Sequence, residues 1–92
     1  MATPAFFEER GIEAKRLPIW VLAKAASIIT ALETGTHFQA VGGKRMNYNK
    51  STISIPVGPL YRMLAVEEDG TLRIKRIMSH EDYNKYAKKV RL

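Results

Sequence analysis

Between Tyr61 and Met78 the chain carries two β-rich runs joined by Glu67-Glu68-Asp69-Gly70, and no other stretch limits its fold so tightly. The acidic turn ending in Asp-Gly is a hairpin signal. Tyr61 to Val66 is apolar on both faces apart from Arg62, which suits a central strand. Leu72 to Met78 returns, with Leu72 and Ile74 on one face and Arg73 and Lys75 on the other. Upstream, Ile53, Ile55 and Val57 alternate with Thr52, Ser54 and Pro56, the pattern of a half-buried strand. Pro56 places that strand at an edge or a bulge, and Gly58-Pro59 turns the chain. Three strands in an antiparallel meander are expected, in a sheet of three or four strands.

The first third reads as helix. Thr3 can cap and Pro4 suits a first helical position, so a helix is expected from there, weakened by Gly11 and ended by Leu17. Pro18 opens a second helix with apolar positions at Ile19, Leu22, Ala23, Ala26, Ile29 and Leu32, widened by Val21, Ala25 and Ile28. A stripe that wide requires burial against a sheet. Trp20 is expected in that core, and Thr34-Gly35 is a stop signal. Two helices meeting at Pro18 would form an αα-hairpin. Residues 35–52 read as loop, with His37 to Val41 as a short edge strand. Gly42-Gly43-Lys44 lacks phosphate-loop spacing and reads as a turn. After the meander, Ser79 caps a last helix from about His80 to Lys88, with Asp82 three residues on. The fold class is α+β: a helical hairpin packed on a small antiparallel sheet with a C-terminal helix, residues 1–92 forming one domain.

Composition narrows the chemistry. At 92 residues the chain buries roughly 60–65% of its unfolded surface, a thin margin. It has no cysteine, so disulfides and thiolate metal sites are excluded and a reducing, cytoplasmic setting is expected. His37 and His80 are too isolated for a metal site, and no cofactor is expected. The apolar run from Ile19 to Leu32 is interrupted by Lys24, Ser27 and Thr30 and is too short to span a bilayer, so neither a membrane partner nor a signal peptide is expected. The net charge is +6, and residues 73–92 hold seven bases against two acids. A basic field so localised attracts anionic partners.

Straight after the second hairpin strand come Ser79, His80, Asp82, Tyr83, Lys85 and Tyr86, with Arg62 within reach on the neighbouring strand. Cations, an imidazole and phenols at a sheet edge are what RNA or a phosphate-rich surface demands. Each residue also has a structural reading. His80 can serve the helix cap, and Tyr83 and Tyr86 can pack their helix on the sheet. Arg62 in an apolar strand needs an anionic partner, either a phosphate or the carboxylate of Glu81 or Asp82.

These residues carry a family resemblance. VGPLYRMLAV resembles the V-G-x-x-Y-R strand of the RelE/ParE superfamily of type II toxins (HigB/RelE-like), through Val57, Gly58, Tyr61 and Arg62. IMSHEDYNKY resembles its terminal G-[ST]-H-x-x-Y motif, through Ser79, His80 and Tyr83. TPAF followed by RLP is similar to the way such chains enter the first helix and turn into the second. Three features depart from the pattern. Only Met1-Ala2-Thr3 precede Pro4, where relatives have a strand; Pro59-Leu60 precede the Tyr-Arg pair; and Met78 replaces a glycine.

The resemblance implies a toxin of a toxin–antitoxin system acting on ribosomes, a metal-independent endoribonuclease (mRNA interferase). Arg62, His80 and Tyr83 would carry the chemistry. Arg73, Lys75, Arg76, Lys85 and Tyr86 would bind RNA. A cognate antitoxin, or another protein partner, is implied with it. The alternative is a non-catalytic inhibitor on the same fold that docks on gyrase or another host factor, of the kind carried by phages and mobile elements.

Overall fold

A computed structural model of the chain describes residues 4–14, 16–46 and 51–90, with the backbone alone for Pro4 and residues 86–90. Four antiparallel strands lie in the order β1 (Lys44–Arg45), β2 (Thr52–Pro56), β3 (Tyr61–Glu68) and β4 (Thr71–Ser79). Helices α1 (Pro4–Glu9) and α2 (Ile19–Glu33) precede the sheet, and α3 (His80–Val90) follows it. This is the α+β, RelE/ParE-like architecture expected from the element order. None of the described helices is long and apolar enough to cross a membrane.

The meander forms as its residues dictate. Asp69 and Gly70 both take positive φ, 51° and 78°, which matches the twist of the two strands they join. β3 is central, between β2 and β4. Pro56 lies past the end of two-residue β1, so its missing N–H faces no neighbour on that side. The register shifts between Leu64 and Ala65, where Leu64 pairs with Arg76 and Ala65 with Ile74, leaving Lys75 as the extra residue of a bulge. That bulge returns Ile77 to the core after Ile74.

One sheet face holds the main core. Ile53, Ile55, Met63, Ala65, Ile74 and Ile77 pack with Val21, Ala25 and Ile29 of α2 and with Phe7 and Phe38. Each large aliphatic buried there contributes about 1.5–3 kcal/mol. The buried arc of α2 is centred on Val21, Ala25, Ala26 and Ile29, with Leu22, Ile28 and Leu32 at its flanks. Alanines on the inward arc let the helix approach the sheet closely. The arc is therefore rotated from the expected stripe, and Ile19 and Ala23 are exposed.

Four further expectations are corrected. Helix α1 ends at Glu9 instead of reaching Leu17, because Gly11 turns left-handed at φ 68°. No tight αα-hairpin forms. The connecting segment instead runs along the sheet, Glu13 N–H donating to the Lys75 carbonyl (3.0 Å) and Ile77 N–H to the Glu13 carbonyl (2.9 Å). This single parallel bridge to β4 stands on the free side of that strand. His37 to Val41 is not a strand. Phe38–Val41 is a 3-10 turn, started by Gln39 N–H donating to His37 Nδ1 (3.1 Å) and closed by Gly42 at φ 83°. Finally, Trp20 is not in the core but half exposed. It lies off the sheet-facing arc and leans on Tyr61 and on Gly58, where a Cβ would sit 3.0 Å from its ring.

Candidate functional site

The second sheet face carries the site. Cross-strand partners share a face, so Arg62 stands with Pro56 on β2 and Met78 on β4, away from α2. β4 runs directly into α3. Ser79 Oγ accepts from Asp82 N–H (3.1 Å), the expected cap. His80 N–H donates to the Leu60 carbonyl (2.7 Å), which fixes the first residue of α3 above the start of β3.

That geometry brings Arg62 and His80 together. Arg62 Nε donates to His80 Nδ1 (3.3 Å), and Arg62 Nη1 donates to Ser54 Oγ (3.0 Å). Accepting at Nδ1 places the imidazole proton on Nε2 of this exposed residue. Tyr83 lies beneath both groups. Its ring is 5.4 Å from the Arg62 guanidinium carbon and nearly parallel to the imidazole, 6.2 Å between centroids. Its hydroxyl donates to Met46 Sδ (3.1 Å), and the ring is buried with Leu64, Met78 and Met46.

Two consequences follow for the expected roles. The Tyr83 ring lies under the Arg62 guanidinium, and its hydroxyl is turned to the Met46 thioether. Arg62 has no carboxylate within ion-pair distance among the described residues, so neither Glu81 nor Asp82 is its partner. Two of its five N–H groups are engaged, both by neutral side chains, which leaves three for an anion.

The remaining cations do not gather there. Lys75, on the bulge, meets Glu68 (3.4 Å), Arg76 meets Glu13 (3.1 Å), and Lys85 meets Glu81 one turn back (3.9 Å). Arg73 pairs across with Val66 near the hairpin turn. With Lys75 it lines a groove of about 850 Å³ that also touches Ile12, Leu32 and Phe38. The side chain of Tyr86 lies outside the described residues. Tyr83 and Met46 cover the middle of the expected basic face; Arg62 and His80 stand at one end of it, and Lys44, Arg73 and Arg76 share it through their pairing with Ser54, Val66 and Leu64. A smaller cavity, about 400 Å³, adjoins the start of α3 and is lined by Arg16, Tyr61, Arg76, Ser79 and Asp82.

Sequence reasoning missed Ser54 and Met46. Ser54 had a signal in its alternation with Ile53 and Ile55, which puts its hydroxyl on the face opposite theirs, where the structure buries it fully. Met46 had none, since its role depends on where the chain before β2 returns. Among the described residues no group of three His, Asp or Glu side chains is placed to hold a metal ion.

A family model described as ParE-like toxin domain matches residues 19–85. Comparison with curated proteins gives no match, and neither does comparison with solved structures. The matched span takes in α2, the whole sheet and the start of α3, and so both Arg62 and His80.

Proposed function

The chain belongs to the ParE-like toxin domain family, as a toxin of the toxin–antitoxin kind, and from that premise we propose that it cleaves ribosome-bound mRNA with Arg62 and His80. One observation carries this reading. Among the described residues the half-buried Arg62 guanidinium donates hydrogen bonds to Ser54 and His80 alone, over the Tyr83 ring and next to an exposed imidazole. A cation held there by neutral groups is preorganised for an anion, and its planar fork suits two phosphate oxygens.

In the proposed step the 2′-oxygen of a ribose bonds to the adjacent phosphorus and the bond to the 5′-oxygen breaks. The products are a 2′,3′-cyclic phosphate and a 5′-hydroxyl. Arg62 swings its free N–H groups onto the phosphate and stabilises the charge that grows there. Its departure from Nδ1 frees His80 to exchange a proton with the reacting oxygens, the task imidazole performs near neutrality. The other proton passes to or from solvent. Tyr83 keeps the guanidinium level and touches no substrate.

A second reading, docking on a protein such as gyrase without catalysis, is favoured by the Tyr83 hydroxyl, which is spent on Met46. A cell-free translation reaction separates the two. Adding the purified protein and mapping mRNA 5′ ends by primer extension is expected to show new cuts that require ribosomes. Arg62→Ala and His80→Ala should each reduce them by about 10²–10⁴-fold with unchanged circular dichroism. Intact mRNA at concentrations that stop growth would discard the cleavage reading in favour of docking.

A further inference from the structure

Gly42-Gly43-Lys44, whose spacing reads as a turn, brings one more side chain to the Arg62 face. Gly42 takes φ 83°, and Gly43 N–H donates to the Phe38 carbonyl (2.8 Å). Gly43 is buried, and a Cβ there would stand 2.9 Å from that carbonyl oxygen and 3.0 Å from Ile55 Cγ1. The backbone therefore lies close against the sheet and enters β1 in a fixed register. Lys44 then stands opposite Ser54, and Arg45 opposite Ile53. Their contacts mark the two faces. Arg45 lies over Phe38 on the core side, whereas Met46, two positions after Lys44, reaches the Tyr83 hydroxyl. Lys44 shares the face of Ser54, Arg62 and Tyr83.

Arg62 leans toward it. The guanidinium reaches from β3 to the Ser54 hydroxyl on β2 (3.0 Å). Lys44 is the next residue outward from Ser54, at about 5 Å between the bases of the two side chains. Arg76 stands in the same row on the far side of β3 and is tied to Glu13 (3.1 Å), and Arg73 stands a row further off. Lys44 is exposed, and among the described residues neither it nor Arg62 has a carboxylate partner. Two such charges on one face repel each other unless an anion lies between them. We infer that Lys44 is the second cation of this site, and that its ammonium meets from the β1 side the same phosphate that Arg62 grips. The planar fork of Arg62 takes phosphate oxygens, and Lys44 adds a point charge on a flexible four-carbon stem. The catalytic part of this inference rests on the cleavage reading. Lys44 moves no proton; it shares the charge that grows on the phosphate as the 2′-oxygen attacks.

Two measurements test it, and the first involves no cleavage. Inorganic phosphate is titrated into isotope-labelled protein while the Arg62 Nε–H and Lys44 Cε resonances are followed by NMR. Both are expected to move with a single dissociation constant. Lys44→Gln should weaken the constant read at Arg62 by about fivefold, the worth of one unit charge at contact in water. In the cell-free translation reaction at saturating protein, Lys44→Ala should slow cutting by about 10²-fold. Lys44→Arg, which restores the charge, should recover most of that rate. Lys24→Ala removes the same charge from an exposed position of α2 and should leave the rate at saturation unchanged. Circular dichroism checks that each variant keeps the fold. Phosphate that shifts Arg62 but not Lys44, with the same constant in Lys44→Gln, would overturn the inference. So would full cutting by Lys44→Ala, the result expected if Lys44 only guards the edge of β1 against other strands. The cleavage reading survives both results. A protein that binds phosphate through both residues and cuts no mRNA would remove that reading and leave the paired cations standing.

Discussion

The two faces of one sheet are built from the same four strands and do opposite work. The face under α2 is an apolar layer in which Ile53, Ile55, Val57, Met63 and Ala65 are fully buried. The face under α3 holds a cluster of three buried residues, Leu64, Met78 and Tyr83, and beside it the polar trio Arg62, Ser54 and His80. The cations differ in their pairing. Arg10 and Arg45, at the margins of the main core, are paired with Glu33 and Glu67, and Arg76, on the second face, with Glu13, whereas Arg62 has no carboxylate partner among the described residues. The difference teaches where stability resides and where a cation stays available. The large core holds the fold, and the small cluster holds one guanidinium in place.

The largest effect is expected from truncating the main core. Ile53→Ala or Ile55→Ala should cost about 2–5 kcal/mol, because the surrounding layer is closed and cannot fill the space. In a chain this short that is a large part of a total of about 5–15 kcal/mol. Leu64→Ala on the other face should fall at the low end of the same range, since Met46 and Met78 are flexible enough to move into the gap. Urea denaturation of the three variants makes the comparison. Equal losses on both faces would mean that the small cluster is as much a part of the folding core as the layer beneath α2.

Tyr83 sharpens the comparison at the next level. Tyr83→Phe keeps the ring below Arg62 and removes the bond to Met46 Sδ. A stability loss of about 0.5–1 kcal/mol is expected, small because a thioether is a weak acceptor. Cleavage should change less than about tenfold, while Tyr83→Ala, which removes the support for Arg62, should lose more. A collapse of cleavage in Tyr83→Phe at unchanged stability would show that the hydroxyl itself meets the substrate.

What the sequence disclosed about this fold followed the range of the interactions involved. The hairpin with its two strands, β2 and the Ser79 cap were legible because each rests on local rules: alternation, an Asp-Gly turn, a hydroxyl at a helix start; two-residue β1 was not, and its place was read as a turn. The meeting of Arg62 with His80 was legible because both flank one hairpin, His80 standing two residues past Met78, the cross-strand partner of Arg62. The phase of α2 was not, since eleven apolar positions in fifteen left the buried arc to be chosen by the sheet. Trp20 went to the surface by that choice. The path of residues 10–17 was hidden for a related reason, because Glu13 joins β4 through backbone groups that any residue offers. Met46 reaches Tyr83 across 37 positions, a contact set by the whole topology.

The smallest effect concerns the carboxylates that surround the main core. Hydrogen bonds from Arg10 and Arg45 hold Glu33 and Glu67 below the ordinary glutamate range. A lowered folded-state value means that the unfolded chain binds the proton first as the pH falls. The stabilisation from each pair is therefore complete above about pH 4.3, the unfolded value, and is lost as the pH drops through the lower folded value. Both pairs are solvent-exposed, so the effect is small and shrinks with salt. Thermal midpoints of the parent and of a Glu33→Gln, Glu67→Gln double variant should differ slightly at neutral pH and converge in acid, once the pH lies below the lowered folded-state values. A gap that persists in acid would mean that packing, such as that of Arg10 over Phe6 (3.8 Å), and not charge, is what the glutamates support. The charges of these two pairs would then have no bearing on stability.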